Sequence, residues 1–392
     1  MLEKSRMRDL DPFLLCEPTA LGWRGLTAHG VVWEAKARPG EPKPVPPIGE
    51  RVWAIDKAGV GVGEWAMPNS CDPGAVENYL NQQNAAIALF QSNHFAAALA
   101  RLEASLKLAS TSHGRFLRAL VLLSLGRWTE GFAEFEQRLT FMQLPEFCAR
   151  AERTGIPRWK YGESLRGKRL LLVHDAGYGD TMQMLRYVPR LRELGARVGA
   201  FVPTVLHNFV ARLLPIDDIT ADCYCPMMSL PYMLGEGIAG SSPWRRWRRP
   251  RGSRRRRRIG IAWSVGADVA GDYPRAVPLA KLVQRLRTVH WDCELISIQL
   301  QDAEAAAALG VQTIPYRDFD ECANTVAAMD EIVAVDTAAV HLAGNIGHPN
   351  IKLLLSYWHS WRWRDDTPLY EHITFCRQDA PGDWDSALRQ LG

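Results

Sequence analysis

Three short stretches carry residue types whose order suits transfer chemistry on an anionic substrate. In HDAGYGDTMQ, Gly177 and Gly179 flank a tyrosine and lead to Asp180. Glycines at a strand-to-helix turn let backbone approach a ligand, and a carboxylate beside them can accept a proton. Asp180 has an equally local purpose: Asp-Thr-Met-Gln has the form of a capping box, with Gln183 reaching back to the helix start. In VDTAAVHLAGNIG an apolar run ends at Asp336, and Thr337, Ala338 and Ala339 open the next helix with small side chains. Open N–H groups there suit a diphosphate, and His341, one turn up from Thr337, adds a donor. The plain alternative is a capping Asp336 and a histidine bonded within the core. In GIAWS, Ser264 closes a third apolar run, with Arg275 behind it. A hydroxyl and a guanidinium both suit phosphate, although both are loop residues by default.

Other chemistries find less support. The eight cysteines are scattered, and only Cys223 and Cys225 are near neighbours, so reduced structural thiols are expected and no metal. The net charge of +4 misleads, because residues 244–258 hold ten arginines and no acid, which leaves the rest of the chain acidic. Such a run, with Trp244 and Trp247 inside it, could hold nucleic acid by charge and stacking. A solvated linker explains it with fewer assumptions, and nucleic acid is not the expected partner. No apolar run reaches the roughly 18 to 20 residues of a membrane span. The opening MLEKSRMRDLDPF has no apolar signal core, which gives a cytoplasmic expectation.

The elements that must position these groups follow from periodicity. At 392 residues the chain is long enough for two or three domains. Residues 1–75 give no readable fold beyond short strands such as RVWAI, with the proline-rich ARPGEPKPVPPIGE among them. Residues 76–140 are helical and repeat: Ala86–Leu106 lies over Ala119–Leu139, with Phe95 on Trp128 and Ala98 on Gly131. Large and small residues alternate as two packed helices per unit require, resembling tetratricopeptide repeats. Residues 141–166 read as a linker. A Rossmann-like half is expected over 167–243, with KRLLLV, one helix over DTMQMLRYVPRLRELG, and RVGAFV. The arginine-rich 244–258 is expected as a hinge. A second half over 259–392 contains GIAWS, CELISIQ, ECANTVAAM, EIVAV and NIKLLL. The expected class is α/β, two parallel-sheet halves behind a helical region, with ligands at the strand ends.

Taken in order, these pieces resemble the bacterial tetratricopeptide-repeat proteins fused to a two-Rossmann (GT-B) glycosyltransferase, related in pattern to heptosyltransferases and O-linked N-acetylglucosamine transferases. From about Glu130 onward the matching stretches are PRWKYGESLRGKRLLL, GYGDTMQMLRYVPRL, CPMMSLP, IGIAWS, VPLAKLV, ELISIQ, MDEIVAVDTAAVHLAGNIG and WRWRDDTPLYEHITFCRQDAPGDW. The resemblance implies a nucleotide-sugar donor held by the second half, with Asp336, Thr337 and His341 at the diphosphate and Ser264 and Gln299 nearby. It puts Asp180 where the heptosyltransferase pattern has its proposed general base. It further implies an inverting, metal-independent transfer needing no cofactor, with the repeats presenting a protein or saccharide acceptor. The loop after Trp263 departs from the pattern, keeping Asp272 and Arg275 alone of its polar set. That departure motivates the rival expectation of a non-catalytic binding or scaffold protein.

Overall fold

The computed structural model describes residues 13–18, 22–27, 32–36, 51–55, 61–66, 72–141, 145–216, 220–238, 247, 256–265, 275–299 and 301–392. The proline-rich stretch, Asp272 and most of the arginine run lie outside the described residues; Trp247 and Arg256–Arg258 lie inside. The chain divides into two compact units, Met1–Gln143 and Leu144–Gly392.

The first unit opens with an antiparallel meander of β1 (Phe13–Pro18), β2 (Gly22–Thr27) and β3 (Val32–Lys36), and a hairpin of β4 (Arg51–Ile55) and β5 (Gly61–Ala66). RVWAI is β4. Four helices follow: α1 (Ala75–Gln91), α2 (Phe95–Leu108), α3 (Ser112–Ser124) and α4 (Trp128–Phe135), then the single turn α5 (Arg138–Phe141). The two helix pairs close with the same turn. His94 N–H donates to the Leu89 carbonyl at 2.8 Å, and Arg127 N–H to that of Leu122 at 2.9 Å. The turn needs a left-handed residue, which Asn93 (φ 61°) supplies in one pair and Gly126 (φ 75°) in the other. Ala98 is fully buried, and a Cβ on Gly131 would meet Leu123 at 2.7 Å, so small residues set how closely the helices approach. Leu26 of β2, Val76 and Tyr79 of α1, and Ala109 form a shared apolar cluster.

In the second unit α6 (Glu146–Arg153) covers a parallel sheet of β6 (Arg169–Val173), β7 (Arg197–Phe201) and β8 (Cys223–Pro226), ordered β7-β6-β8. These strands are apolar along almost their whole length because both faces are covered. The single helix expected after β6 is two, α7 (Tyr178–Met184) and α8 (Val188–Glu193), joined by a 3₁₀ turn over Leu185–Tyr187. Pro189 is the cause: it lacks an N–H, and its ring clashes with the carbonyl four residues back. Short helices α9 (His207–Ala211) and α10 (Leu230–Leu234) complete this half.

The other half is built on β9 (Arg257–Ala262), α11 (Leu279–Val289), β10 (Cys293–Ser297), α12 (Ala303–Ala308), β11 (Gln312–Thr313), α13 (Phe319–Ala327), β12 (Glu331–Val335), α14 (Ala338–Asn345), β13 (Ile351–Leu355), β14 (Ile373–Arg377) and α15 (Trp384–Arg389). The strands are all parallel in the order β11-β10-β9-β12-β13-β14. Connections run one way from β9 through β10 and the other way from β12, so the winding reverses between β9 and β12. Open α/β sheets bind ligands outside the strand ends at that reversal. The end of the arginine run belongs to this fold. Arg257 donates to the buried Glu331 at 2.7 Å, and Arg258 N–H to Asp330 at 2.9 Å.

Candidate active site

At the reversal, the end of β9 gives Trp263 and Ser264, and the end of β12 gives Asp336 and Thr337. Gln299, just past β10, knots the first pair. Its Oε1 accepts from the N–H groups of Trp263 (2.8 Å) and Ser264 (3.2 Å), while its Nε2 donates to Ser264 Oγ at 2.9 Å. Ser264 Oγ in turn lies 3.3 Å from Asp302. Ser264 and Gln299 are thus brought together, and they brace each other. Arg275 Nη1 donates to the Asp336 carbonyl at 3.2 Å, tying the loop after β9 to the end of β12.

Thr337, not Asp336, caps α14, its hydroxyl accepting from Ala339 N–H at 3.3 Å. Ala338 opens the helix half-buried, its side chain a single methyl. His341 is buried, its Nδ1 2.9 Å from the Tyr370 hydroxyl and its ring tilted against Trp363. Asn345 Nδ2 donates to the His341 carbonyl at 2.8 Å and to the Tyr370 oxygen at 3.3 Å. The phenol proton is therefore left for Nδ1, which assigns the ring proton of neutral His341 to Nε2. Burial pushes this imidazole down to about 4, against the pull of Asp336 and Asp180, so it is neutral at pH 7.

The other half meets α14 through α7. A Cβ on Gly179 would lie 2.5 Å from His341 Cδ2, so this glycine permits the approach of histidine and helix. Gly177 is the N-cap, which places Asp180 at the third helical position and not at the cap. Asp180 Oδ2 accepts from Gly177 N–H at 2.9 Å, the returning half of a capping box. Its Oδ1 accepts from Arg362 Nη2 at 2.6 Å. Gln183 does not reach back; its Oε1 accepts from Arg362 Nε at 2.8 Å. Burial acts to raise the Asp180 carboxyl, but Arg362, His341, Gly177 N–H and His174 outweigh it and hold the group below its ordinary value.

Four participants were not singled out individually from the sequence: Arg362, Arg186, Trp363 and Tyr370. Arg186, buried, donates to the carbonyls of Gln183, Ile238 and Leu369, and so joins both halves. Tyr370 fills the space over Gly344 and supports His341. The alternation of tryptophan and arginine in WRWR is the one local sign of this group. No cluster of three or more metal-binding side chains occurs among the described residues. The Asp-x-Asp spellings there are engaged in the fold. Asp318 caps α13 and accepts from Asn208, Asp320 pairs with Arg212, Asp383 caps α15 and Asp385 pairs with Lys281. No helix among the described residues is long and apolar enough to cross a membrane.

No protein-family model matches the chain. Protein FlbA of Caulobacter vibrioides is 33% identical over 114 residues, 28% of this chain and 18% of FlbA, so the match takes in less than a fifth of that relative. Among solved structures the chain is similar to the E. coli ADP-heptose lps heptosyltransferase II (13% identity, TM-score 0.39, 57% of this chain and 97% of that one). It is also similar to a glycosyl transferase family 9 protein of Veillonella parvula (11%, 0.40, 55% and 87%). A variant of the Thermobaculum terrenum O-GlcNAc transferase shares 12% identity, at a TM-score of 0.27, over 80% of this chain and 82% of that one. At identities and scores this low, none of these structures assigns a chemistry to the chain.

Proposed function

We propose that the chain is a glycosyltransferase that moves a sugar from a nucleotide-sugar donor to a hydroxyl of a protein or saccharide. The observation that carries the reading is one juxtaposition: Asp180, a carboxylate in the first turn of α7, lies beside His341 on the helix that opens at the strand reversal of the other half, its neighbour Gly179 letting the two helices meet. The donor diphosphate would meet the start of α14 at Thr337 and Ala338, with Arg275 beside it. Asp180 would take the acceptor proton while negative charge grows on the leaving diphosphate. A helix N-terminus and an Nε2 donor stabilise that charge without a metal, and one displacement inverts the anomeric centre. The repeated helices of the first unit, read as tetratricopeptide-like, would present the acceptor. A binding or scaffold role is the second reading, favoured by the fact that both Asp180 oxygens already have partners.

Ala338→Glu tests the donor site. A carboxylate in the first turn suits the helix but repels a diphosphate, so the unliganded melting point should hold or rise. The stabilisation by nucleoside diphosphates, about 2.7 kcal/mol at a hundred times Kd, should vanish. An undiminished ligand shift would move the donor elsewhere. Asp180→Asn, which can still accept from Gly177 N–H, should cut transfer at least about a hundredfold while donor binding is kept. Full transfer in that variant would leave Asp180 a structural acid.

A further inference from the structure

We propose that Arg362 is the positioning residue for Asp180: a counter-charge supplied by one half of the second unit to the acid of the other, which fixes the direction of the carboxylate and keeps it ionised between turnovers. The inference rests on reading Asp180 as the base. Its ground is the way Arg362 is held. Nη2 donates to Asp180 at 2.6 Å, Nε to Gln183 at 2.8 Å and Nη1 to Ser360 Oγ at 3.0 Å, and the guanidinium lies 4.2 Å over the Trp361 ring. Asp180 and Gln183 are three apart on α7, so they stand on one face and are gripped by one planar fork.

The groups facing Asp180 leave Arg362 as the cation that matters. His341 comes from α14 and His174 from the end of β6, and burial lowers both imidazoles, so at pH 7 they are neutral. Tyr370 lies near, its phenol raised by burial, and Asp175 sits between His174 and the turn. In the transfer step the acceptor O–H bond breaks and its proton goes to Asp180. The oxygen pair forms the new bond to the anomeric carbon, and the old C–O bond leaves its pair on the diphosphate. A protonated Asp180 beside Arg362 has lost its ion pair, so the proton passes on to water and the carboxylate is restored.

Urea unfolding between pH 4 and 8 tests this without any sugar donor, in wild type, Arg362→Gln and Arg362→Lys, each also with Asp180→Asn added. Without the guanidinium, burial dominates and the Asp180 carboxyl rises above its unfolded value of about 3.9. An acid raised in the folded state loses stability as pH rises. Arg362→Gln should therefore gain on wild type by at least about tenfold in its folding constant from pH 7 to pH 5. Adding Asp180→Asn should abolish that gain, and Arg362→Lys, which keeps the charge, should follow wild type. Curves for Arg362→Gln and wild type that stay parallel would overturn the inference. If Arg362→Gln does not fold, a pH-dependent gain in Arg362→Lys that Asp180→Asn fails to remove would do so instead. Absence of any nucleoside diphosphate binding would strike the transferase reading and leave these curves unchanged. Once a donor is found, the acid limb of transfer should move up in Arg362→Gln and return in Arg362→Lys.

Discussion

His341 is held inside the core beside the candidate site. Its Nδ1 is engaged by Tyr370, and the Asn345 amide decides which ring nitrogen holds the proton. Buried and neutral, it makes stability depend on pH with a definite sign. The folded imidazole titrates near 4 and the unfolded one near 6.5. Between those values the unfolded chain binds more protons, so stability is full above about 6.5 and is lost as pH falls towards 4. His341→Asn should flatten the stability curve by about 2 kcal/mol between pH 7 and pH 5, measured by urea unfolding at those two values. An unchanged slope would mean that His341 is open to water. The presence of a histidine near the helix start was legible in VDTAAVHLAG, as was Asp180 at its turn. Their depth, and the Arg362 that meets Asp180 from 182 positions away, were not. Local patterns carry spacing along one element, whereas this pairing depends on how two sheets are brought together.

At the scale of elements, the strands and the helical character of residues 76–140 were the readable part. EIVAV is β12 to the residue, because a fully covered parallel strand leaves an uninterrupted apolar run. The 33-residue offset reappears as two turns with matching hydrogen bonds. What was misread has a cause in each case. One proline divides the helix after β6, and β9 begins inside the arginine run because Glu331 and Asp330 pair with its last residues. The matched turns give a prediction. Asn93 occupies the left-handed position that Gly126 holds in the second pair. Gly126→Asn should then be tolerated to within a few tenths of a kcal/mol, and Gly126→Ala should cost about 1 kcal/mol or more. Equal losses for the two substitutions, read from urea midpoints, would show that the turns are not equivalent.

For the molecule as a whole, the halves of the second unit meet along two separate seams among the described residues. One is α7 on α14, with Gly179 against His341, Asp180 on Arg362 and Arg186 on the Leu369 carbonyl. The other is α9 on α13, where Asn208 donates to Asp318 at 2.6 Å and Arg212 pairs with Asp320. Trp247, from within the arginine run, is set into this second seam. It stacks on Phe209 and lies under the Arg212 guanidinium at 4.4 Å. Its Nε1 donates to Asn324 at 3.0 Å and its N–H to the Ile346 carbonyl at 3.3 Å. Two contacts set apart allow one mutual orientation of the sheets, where a single contact would leave a pivot. The donor and the base are contributed by different halves in the proposed reaction, so that orientation is a condition of activity. Trp247→Ala removes a half-buried ring and one hydrogen bond and should cost about 2 kcal/mol. In the proposed reaction nucleoside diphosphate binding lies within one half and should be nearly unchanged, while transfer, which needs both, should fall. A variant with wild-type urea midpoint and wild-type transfer would show that the α7–α14 seam holds the halves alone.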